Sequence, residues 1–197
     1  PAVTAWHGVL GDGPVADRTL LVTGAGGRVG RYAIQIAHHA GARVVALSRT
    51  AKSVELLKLG ADVVVDYTGP DLTARLQHAA PDGIDRVCDG TLAVTLEHAL
   101  PALNPRAVIA AYASDMNPKP ALPFGQLLYN NIALTPFSIF ALSELQRDTA
   151  LDGVGALLAE GKLKHRVGAR FELDQMIAAH EAVEQGNVDG ACLVAVR

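Results

Sequence analysis

The apolar run Leu20-Leu21-Val22 ends in a turn with four glycines in seven residues, Gly24-Ala25-Gly26-Gly27-Arg28-Val29-Gly30, and a stretch with helical spacing follows at once. This arrangement has a specific physical reading. Gly24 allows a tight turn out of the strand. Gly26 or Gly27 leaves the backbone bare enough to approach a pyrophosphate, and Gly30 lets the next helix pack close. That helix would offer unpaired N–H groups and the positive end of its dipole to phosphates. The plainer alternative is a strand-to-helix turn with incidental glycines. The glycine spacing and the flanking elements favour dinucleotide binding, with Gly24, Gly26, Gly27, Arg28, Val29 and Gly30 as the loop residues.

The rest of the chain alternates short apolar runs with amphipathic stretches. Strands are expected at 20–22, 43–47, 63–65, 84–88, 107–112 and 132–135. Helices are expected over 29–40, 51–59 (stopped by Gly60), 71–79, 91–103, 126–130 and 142–160 (stopped by Gly161), with a loop over 115–123. A short strand near Phe171, a helix over 174–185 and a last strand over 192–196 close the chain. Strands alternating with helices imply right-handed crossovers and parallel pairing. Continuously apolar strands imply a sheet covered on both faces. The expected fold class is α/β, a doubly wound parallel sheet of the Rossmann fold with about six strands in the order 3-2-1-4-5-6. Its binding crevice lies at the carboxyl ends of the strands, where the order switches. Residues 1–165 form the expected cofactor-binding domain and 166–197 a C-terminal segment.

Composition narrows the function. Half of the 197 residues are apolar, so a full core can form. A formal net charge of -3 argues against nucleic acid as the main partner. No apolar run approaches the roughly 20 residues that span a bilayer, and Pro1 to Trp6 lack the pattern of a secretory signal. Two distant cysteines, Cys88 and Cys192, do not suggest a disulfide scaffold, so a cytoplasmic location is expected. No Cys/His cluster has metal-ligand spacing; His38 and His39 point different ways on one helix and are read as surface residues.

An NAD site usually carries an acid at the end of the second strand, for the ribose 2′-hydroxyl. Here that place reads Leu47-Ser48-Arg49-Thr50. Ser48, Arg49 and Lys52 instead offer a hydroxyl and positive charge where a 2′-phosphate would lie, so NADP(H) is the expected cofactor.

These stretches resemble the medium-chain dehydrogenase/reductase superfamily, in its quinone oxidoreductase (zeta-crystallin) branch. Thr4-Ala5-Trp6 resembles the helix leading into the cofactor domain, and Val22 to Gly30 the phosphate loop. Gly41 to Ala46 resembles the second strand, and Leu59-Gly60-Ala61-Asp62 with Asp66-Tyr67 resembles the "LGAD…Y" signature. Asp89-Gly90 and His180-Glu181-Ala182-Val183 to Gly190 resemble later landmarks. The resemblance implies that Lys52 and Tyr67 hold a 2′-phosphate. It also implies a homodimer through the sixth-strand edge, and a GroES-like catalytic domain to which residues 166–197 would return. That domain is not in this chain, which begins at Pro1 and reads as a piece of a longer polypeptide. In zinc members a further ligand would fall just before Pro1, so zinc in the parent stays open.

Two departures stand out. Asn104-Pro105-Arg106 replaces the family's Pro-Gly-Gly before the fifth strand, and Thr91-Leu92-Ala93 replaces a glycine-rich stretch after the fourth. Both are expected near the nicotinamide side. Ala113, Ser114, Phe137, Ser138 and Ile139 are expected to bracket the nicotinamide, with Phe137 and Phe140 as core or dimer-contact residues in the rival reading. Asn187 is a weaker cofactor candidate. Cys88 is expected as a small buried residue at the end of the fourth strand.

The glycine loop also fits extended short-chain dehydrogenases, which need a Tyr and a Lys four residues apart on a helix. At that spacing Tyr32, Tyr67, Tyr112 and Tyr129 are followed by Ile36, Asp71, Met116 and Ala133, so no such pair exists. The expected function is an NADPH-dependent oxidoreductase of quinone/enone or enoyl reductase type, passing hydride to an electron-poor small-molecule acceptor. A zinc-type alcohol dehydrogenase and a non-catalytic NADPH-binding or sensing module are the alternatives. No catalytic residue is assigned within the chain.

Overall fold

A computed structural model describes residues 1–114 and 117–196. The chain divides into two compact units, Pro1–Leu163 and Lys164–Arg197. In the first, α1 (Ala2–Leu10) leads to β1 (Thr19–Val22), α2 (Arg28–His39) and β2 (Arg43–Ser48). A 3-10 turn at Thr50–Lys52 opens α3 (Ser53–Lys58), and β3 (Val63–Asp66), α4 (Leu72–Ala79) and β4 (Ile84–Asp89) follow. Then come α5 (Leu92–Val94), β5 (Leu103–Ala111), α6 (Phe124–Tyr129), β6 (Ala133–Pro136) and α7 (Glu144–Ala159). The sheet has six parallel strands in the order β3-β2-β1-β4-β5-β6. Fold class and strand order agree with the sequence expectation.

Strand pleating explains why the central strands β1 and β2 read as apolar runs. Leu20, Val22, Val44, Ala46 and Cys88 pack on one face with Ala33, Ile34, Ile36 and Ala37 of α2 and with α1. Leu21, Val45, Leu47, Val87 and Ile109 pack on the other with α4 and the segment after β4. Successive side chains point to opposite faces, so a strand covered on both sides must be apolar at every position. The Leu59-Gly60-Ala61-Asp62 stretch has a structural role. Gly60 turns at φ +108°, and Asp62 Oδ2 accepts from Val44 N at 2.7 Å, which holds the start of β3 against β2.

Two local readings are corrected. The single helix expected over 91–103 is instead α5, a π-helical turn (Thr95–Ala99), a 3-10 turn (Leu100–Ala102) and the start of β5. Pro101 has no N–H and clashes with the carbonyl four residues back, so it stops a regular helix there. The second correction concerns Asn104-Pro105-Arg106. They begin β5, at the end of the sheet away from the crevice, rather than beside the nicotinamide. Arg106 takes φ +66°, a left-handed conformation suited to the glycine it replaces. The loop expected over 115–123 starts at Asp115 and Met116, which lie outside the described residues.

The second unit holds β7 (Val167–Glu172), a 3-10 turn (Leu173–Gln175), α8 (Met176–Glu184) and β8 (Ala191–Ala195), with β7 and β8 paired in parallel. Among the described residues, no helix is long and apolar enough to cross a membrane.

Arg106 is exposed, and its left-handed backbone is one a non-glycine residue adopts with strain. Arg106→Gly is therefore expected to stabilise the protein by about 0.5–1 kcal/mol, read as a raised midpoint in urea unfolding. A lowered midpoint would show that the arginine side chain matters more than the strain.

Candidate dinucleotide site

The glycine turn is set by close backbone contacts. Gly24 sits at φ +58°, and its carbonyl accepts from Gly27 N at 2.9 Å. A Cβ at Gly30 would lie 2.5 Å from Gly24 O and 2.6 Å from Ala25 Cα, closer than any side chain can come. Gly27 caps α2 with no side chain, so the first-turn N–H groups of Arg28, Val29 and Gly30 receive no side-chain cap. Arg28 is exposed and Val29 half-buried against the core.

Beside this turn lies a cavity of about 340 Å³ lined by Gly24, Gly26, Gly27, Leu47, Ser48, Arg49, Lys52 and Tyr67. One hollow thus brings the glycine turn together with all four residues expected at the 2′-phosphate end. Ser48 Oγ and Lys52 Cδ each come within 3.0 Å of where a Cβ on Gly26 would stand, so a side chain there would displace both. Arg49 Nε donates to Tyr67 Oη at 2.8 Å, and its guanidinium lies 5.9 Å from the Tyr67 ring centre. Asp66 holds the neighbouring turn. It accepts from Thr50 N and from the Thr50 and Thr68 hydroxyls, and from Thr68 N at 2.8 Å. These bonds, Thr50's foremost, keep its carboxyl well below the usual carboxylate range.

A second cavity, of about 430 Å³, opens at the ends of β5 and β6. Ala113, Ser114, Phe137 and Ser138 line it with Leu92, Tyr112 and Pro136. Thus Leu92, from one of the two departures, does reach this end of the crevice. Ile139 follows in the turn, half-buried and outside that lining; Phe140 is 92% exposed. Backbone bonds hold the strand tips: Tyr112 N to Asp89 O and Phe137 N to Ala111 O, both at 2.9 Å. The Phe137 ring meets His7 of α1 edge-on at 4.7 Å and Tyr112 at 6.2 Å. Burial pushes the His7 imidazole below its usual range. Asn187 lies in the second unit, where its side-chain amide donates to Gln185 Oε1 at 2.9 Å. Cys88 is fully buried beneath α1, with its sulfur 2.7 Å from a Cβ placed on Gly8; burial pushes the thiol up to about 12. His38 and His39 are exposed. Among the described residues, no three His, Cys, Asp or Glu side chains gather as a metal site.

Several contributors escaped the sequence reading. Thr23, directly before Gly24, donates to Asp89 Oδ1 at 2.6 Å and accepts from Gly90 N at 2.8 Å. Asp89 Oδ1 also accepts from Thr91 N. This knot joins β1 to β4 at the point where the strand order reverses. Arg31 and Glu55 join α2 to α3. Tyr112 and His7 carry no sequence signal of their own, because their positions depend on how α1, β5 and β6 meet.

A doubly wound sheet with a side-chain-free helix start at its switch point defines a dinucleotide-binding domain. The zinc-binding dehydrogenase family model matches residues 29–152. The chain belongs to that family, on the quinone oxidoreductase-like side of the medium-chain dehydrogenase/reductase superfamily. It is 31% identical over 196 residues to rabbit (Oryctolagus cuniculus) prostaglandin reductase 1, covering 94% of this chain and 56% of that one. It is 30% identical over 184 residues to the NADPH-dependent curcumin reductase of Escherichia coli K12, covering 84% and 52%. Among solved structures, CurA from Vibrio vulnificus in complex with NADPH superposes with a TM-score of 0.84 at 26% identity, over 100% of this chain and 62% of that one. An NAD-dependent alcohol dehydrogenase gives 0.85 at 28%, over 100% and 56%. The chain spans about half the length of the curated relatives it matches.

Asp89 supplies a test of the knot under the loop. Its carboxyl is fully buried, and the donors around it, Thr23 and Thr91 on Oδ1 and the nearby Thr95 hydroxyl, offset only part of the loss of water. Burial therefore raises its pKa in the folded state. A raised carboxyl pKa means stability that is full at low pH and lost as pH rises through the folded value. Asp89→Asn keeps the acceptor and removes the charge. It is expected to be about 1–2 kcal/mol more stable than the parent at pH 8, with the difference shrinking as the pH falls through the raised folded pKa towards the ordinary carboxylate value of about 4. Urea unfolding across pH measures this, and a variant less stable at pH 8 would refute it.

Proposed function

We propose that this chain is the NADP(H)-binding part of an oxidoreductase that passes hydride to an electron-poor acceptor, of quinone/enone or enoyl reductase type. The observation that carries this is the single cavity joining the glycine turn to Ser48, Arg49, Lys52 and Tyr67. Cations and hydroxyls meet there, at the place where an NAD site carries an acid. The relatives named for NADPH support the same cofactor.

The residues present fit the group. The uncapped α2 start would receive the pyrophosphate. Arg49 and Lys52 would hold the 2′-phosphate, with Tyr67 orienting Arg49 through its hydroxyl. The walls at Tyr112, Ala113 and Phe137 would exclude water from one side of the nicotinamide. Ser114, Ser138 and Ile139 belong to the same proposed set, and Asn187 is a separate cofactor candidate within the second unit. The bound nicotinamide supplies the hydride itself. We assign residues 166–197 to the return towards a catalytic domain, and the exposed β6 edge to a homodimer contact.

A zinc-type alcohol dehydrogenase is the second reading, favoured by the likeness to the NAD-dependent alcohol dehydrogenase. Reduction of quinones or enones by the full-length protein, against oxidation of alcohols, separates the two.

Lys52→Ala is expected to weaken NADPH about tenfold, the loss of one cation–phosphate contact, and to leave NADH nearly unchanged. Fluorescence titration with both cofactors reads this directly. Tighter binding of NADH than NADPH by the unmodified chain would overturn the assignment of Arg49 and Lys52.

A further inference from the structure

Arg31 stands on the first turn of α2, directly behind the glycine turn, and is 7% exposed. Its Nε donates to Gly26 O at 3.1 Å. Its other two nitrogens engage both carboxylate oxygens of Glu55 on α3, NH2 meeting Oε2 at 2.8 Å and NH1 meeting Oε1. Gln35 Nε2 donates to the Arg31 carbonyl at 2.9 Å, which fixes the turn that carries it. One planar guanidinium thus grips the loop backbone on one edge and a carboxylate fork on the other, a geometry lysine cannot copy.

The partner element explains why the grip matters. α3 spans Ser53–Lys58 and buries one side chain, Leu56. A helix that short does not hold its own position. Glu55 lies one turn after Lys52, and Lys52 folds over Gly26. The Arg31–Glu55 pair thus ties α3, on the C-terminal side of Lys52, to the glycine turn, while Asp66 holds Thr50 on the other side.

We propose that Arg31 and Glu55 are positioning residues for cofactor selectivity, a clamp that holds Lys52 over the glycine turn at the spacing a 2′-phosphorylated dinucleotide requires. The clamp rests on the NADP(H) reading above. It touches no cofactor atom and acts through Lys52. The pair is half-screened at its Glu55 end, where the side chain is 32% exposed. The cost of desolvating Arg31 offsets much of the attraction, so its effect is expected on selectivity more than on stability.

The test is titration of NADPH and NADH into the full chain and into Arg31→Met, Glu55→Gln, Lys52→Ala and the Arg31→Met/Lys52→Ala double variant. The unmodified chain is expected to prefer NADPH. Arg31→Met and Glu55→Gln are each expected to cut the NADPH:NADH affinity ratio about tenfold, through NADPH. The double variant is expected to lose no more selectivity than Lys52→Ala alone, the signature of two residues acting through one contact. Glu55→Gln keeps the side-chain volume and serves where Arg31→Met fails to fold. An unchanged ratio, an equal loss for both cofactors or additive losses in the double variant would overturn the clamp while the NADP(H) reading stands. An unmodified chain without NADPH preference would overturn both.

Discussion

The start of α2 is packed backbone to backbone on the glycine turn, with no room for a Cβ at Gly30 between Gly24 O and Ala25 Cα. That contact decides where the helix end points. A side chain at Gly30 would push α2 outward, and its bare N–H groups would no longer face the crevice. Arg31, one residue further on, would lose its reach to the Gly26 carbonyl, and with it the tie to α3. The missing side chains at Gly24, Gly26, Gly27 and Gly30 are thus what every later feature of the site is built around.

The sheet adds a second constraint. Where the order reverses, β1 and β4 lie side by side, with Val22 paired to Cys88, and their following segments leave in different directions. Something must close the gap beneath the crevice without filling it. Thr23 and Asp89 do so with short polar side chains, linking the two strand ends and the Gly90–Thr91 turn. An apolar pair would pack there but would leave the Gly90 and Thr91 N–H groups without those acceptors. The buried carboxyl is the structural cost of satisfying them where the two chain segments part.

What the sequence disclosed and what it hid divide along contact range. The central strands β1 and β2 were legible because burial on both faces demands apolar residues at each position, as in Leu20-Leu21-Val22 and Val44-Val45-Ala46-Leu47. The glycine turn was legible because its requirement is local backbone geometry. The segment after β4 was not: its apolar residues fit a helix, but Pro101 breaks the register and a π turn and a 3-10 turn keep Leu96, Ala99 and Leu100 buried. The neighbourhood of Phe137 was half legible. Phe137 follows β6 in a predictable way, yet its partners His7 and Tyr112 lie 130 and 25 residues away in sequence. The Arg31–Glu55 tie, spanning 24 residues, looks in sequence like two ordinary charges on helix surfaces.

The electrostatics of the 340 Å³ cavity turn on one further acid. Asp66 ends β3, next to Tyr67, and a carboxylate there could in principle serve a ribose hydroxyl as an NAD site requires. Its oxygens are already committed. Oδ2 accepts from Thr50 N and its hydroxyl, and Oδ1 accepts from Thr68 N at 2.8 Å and its hydroxyl at 2.7 Å. A carboxylate with both oxygens engaged by two donors each has little acceptor capacity left for a ligand. Its charge is instead spent on the Thr50–Lys52 turn, which it fixes at the mouth of the cavity, while Arg49 is drawn to the Tyr67 hydroxyl. Asp66 therefore braces the turn that carries Lys52 instead of competing for a ligand. Sequence position alone, with Asp66 beside Tyr67, would not have distinguished the two roles.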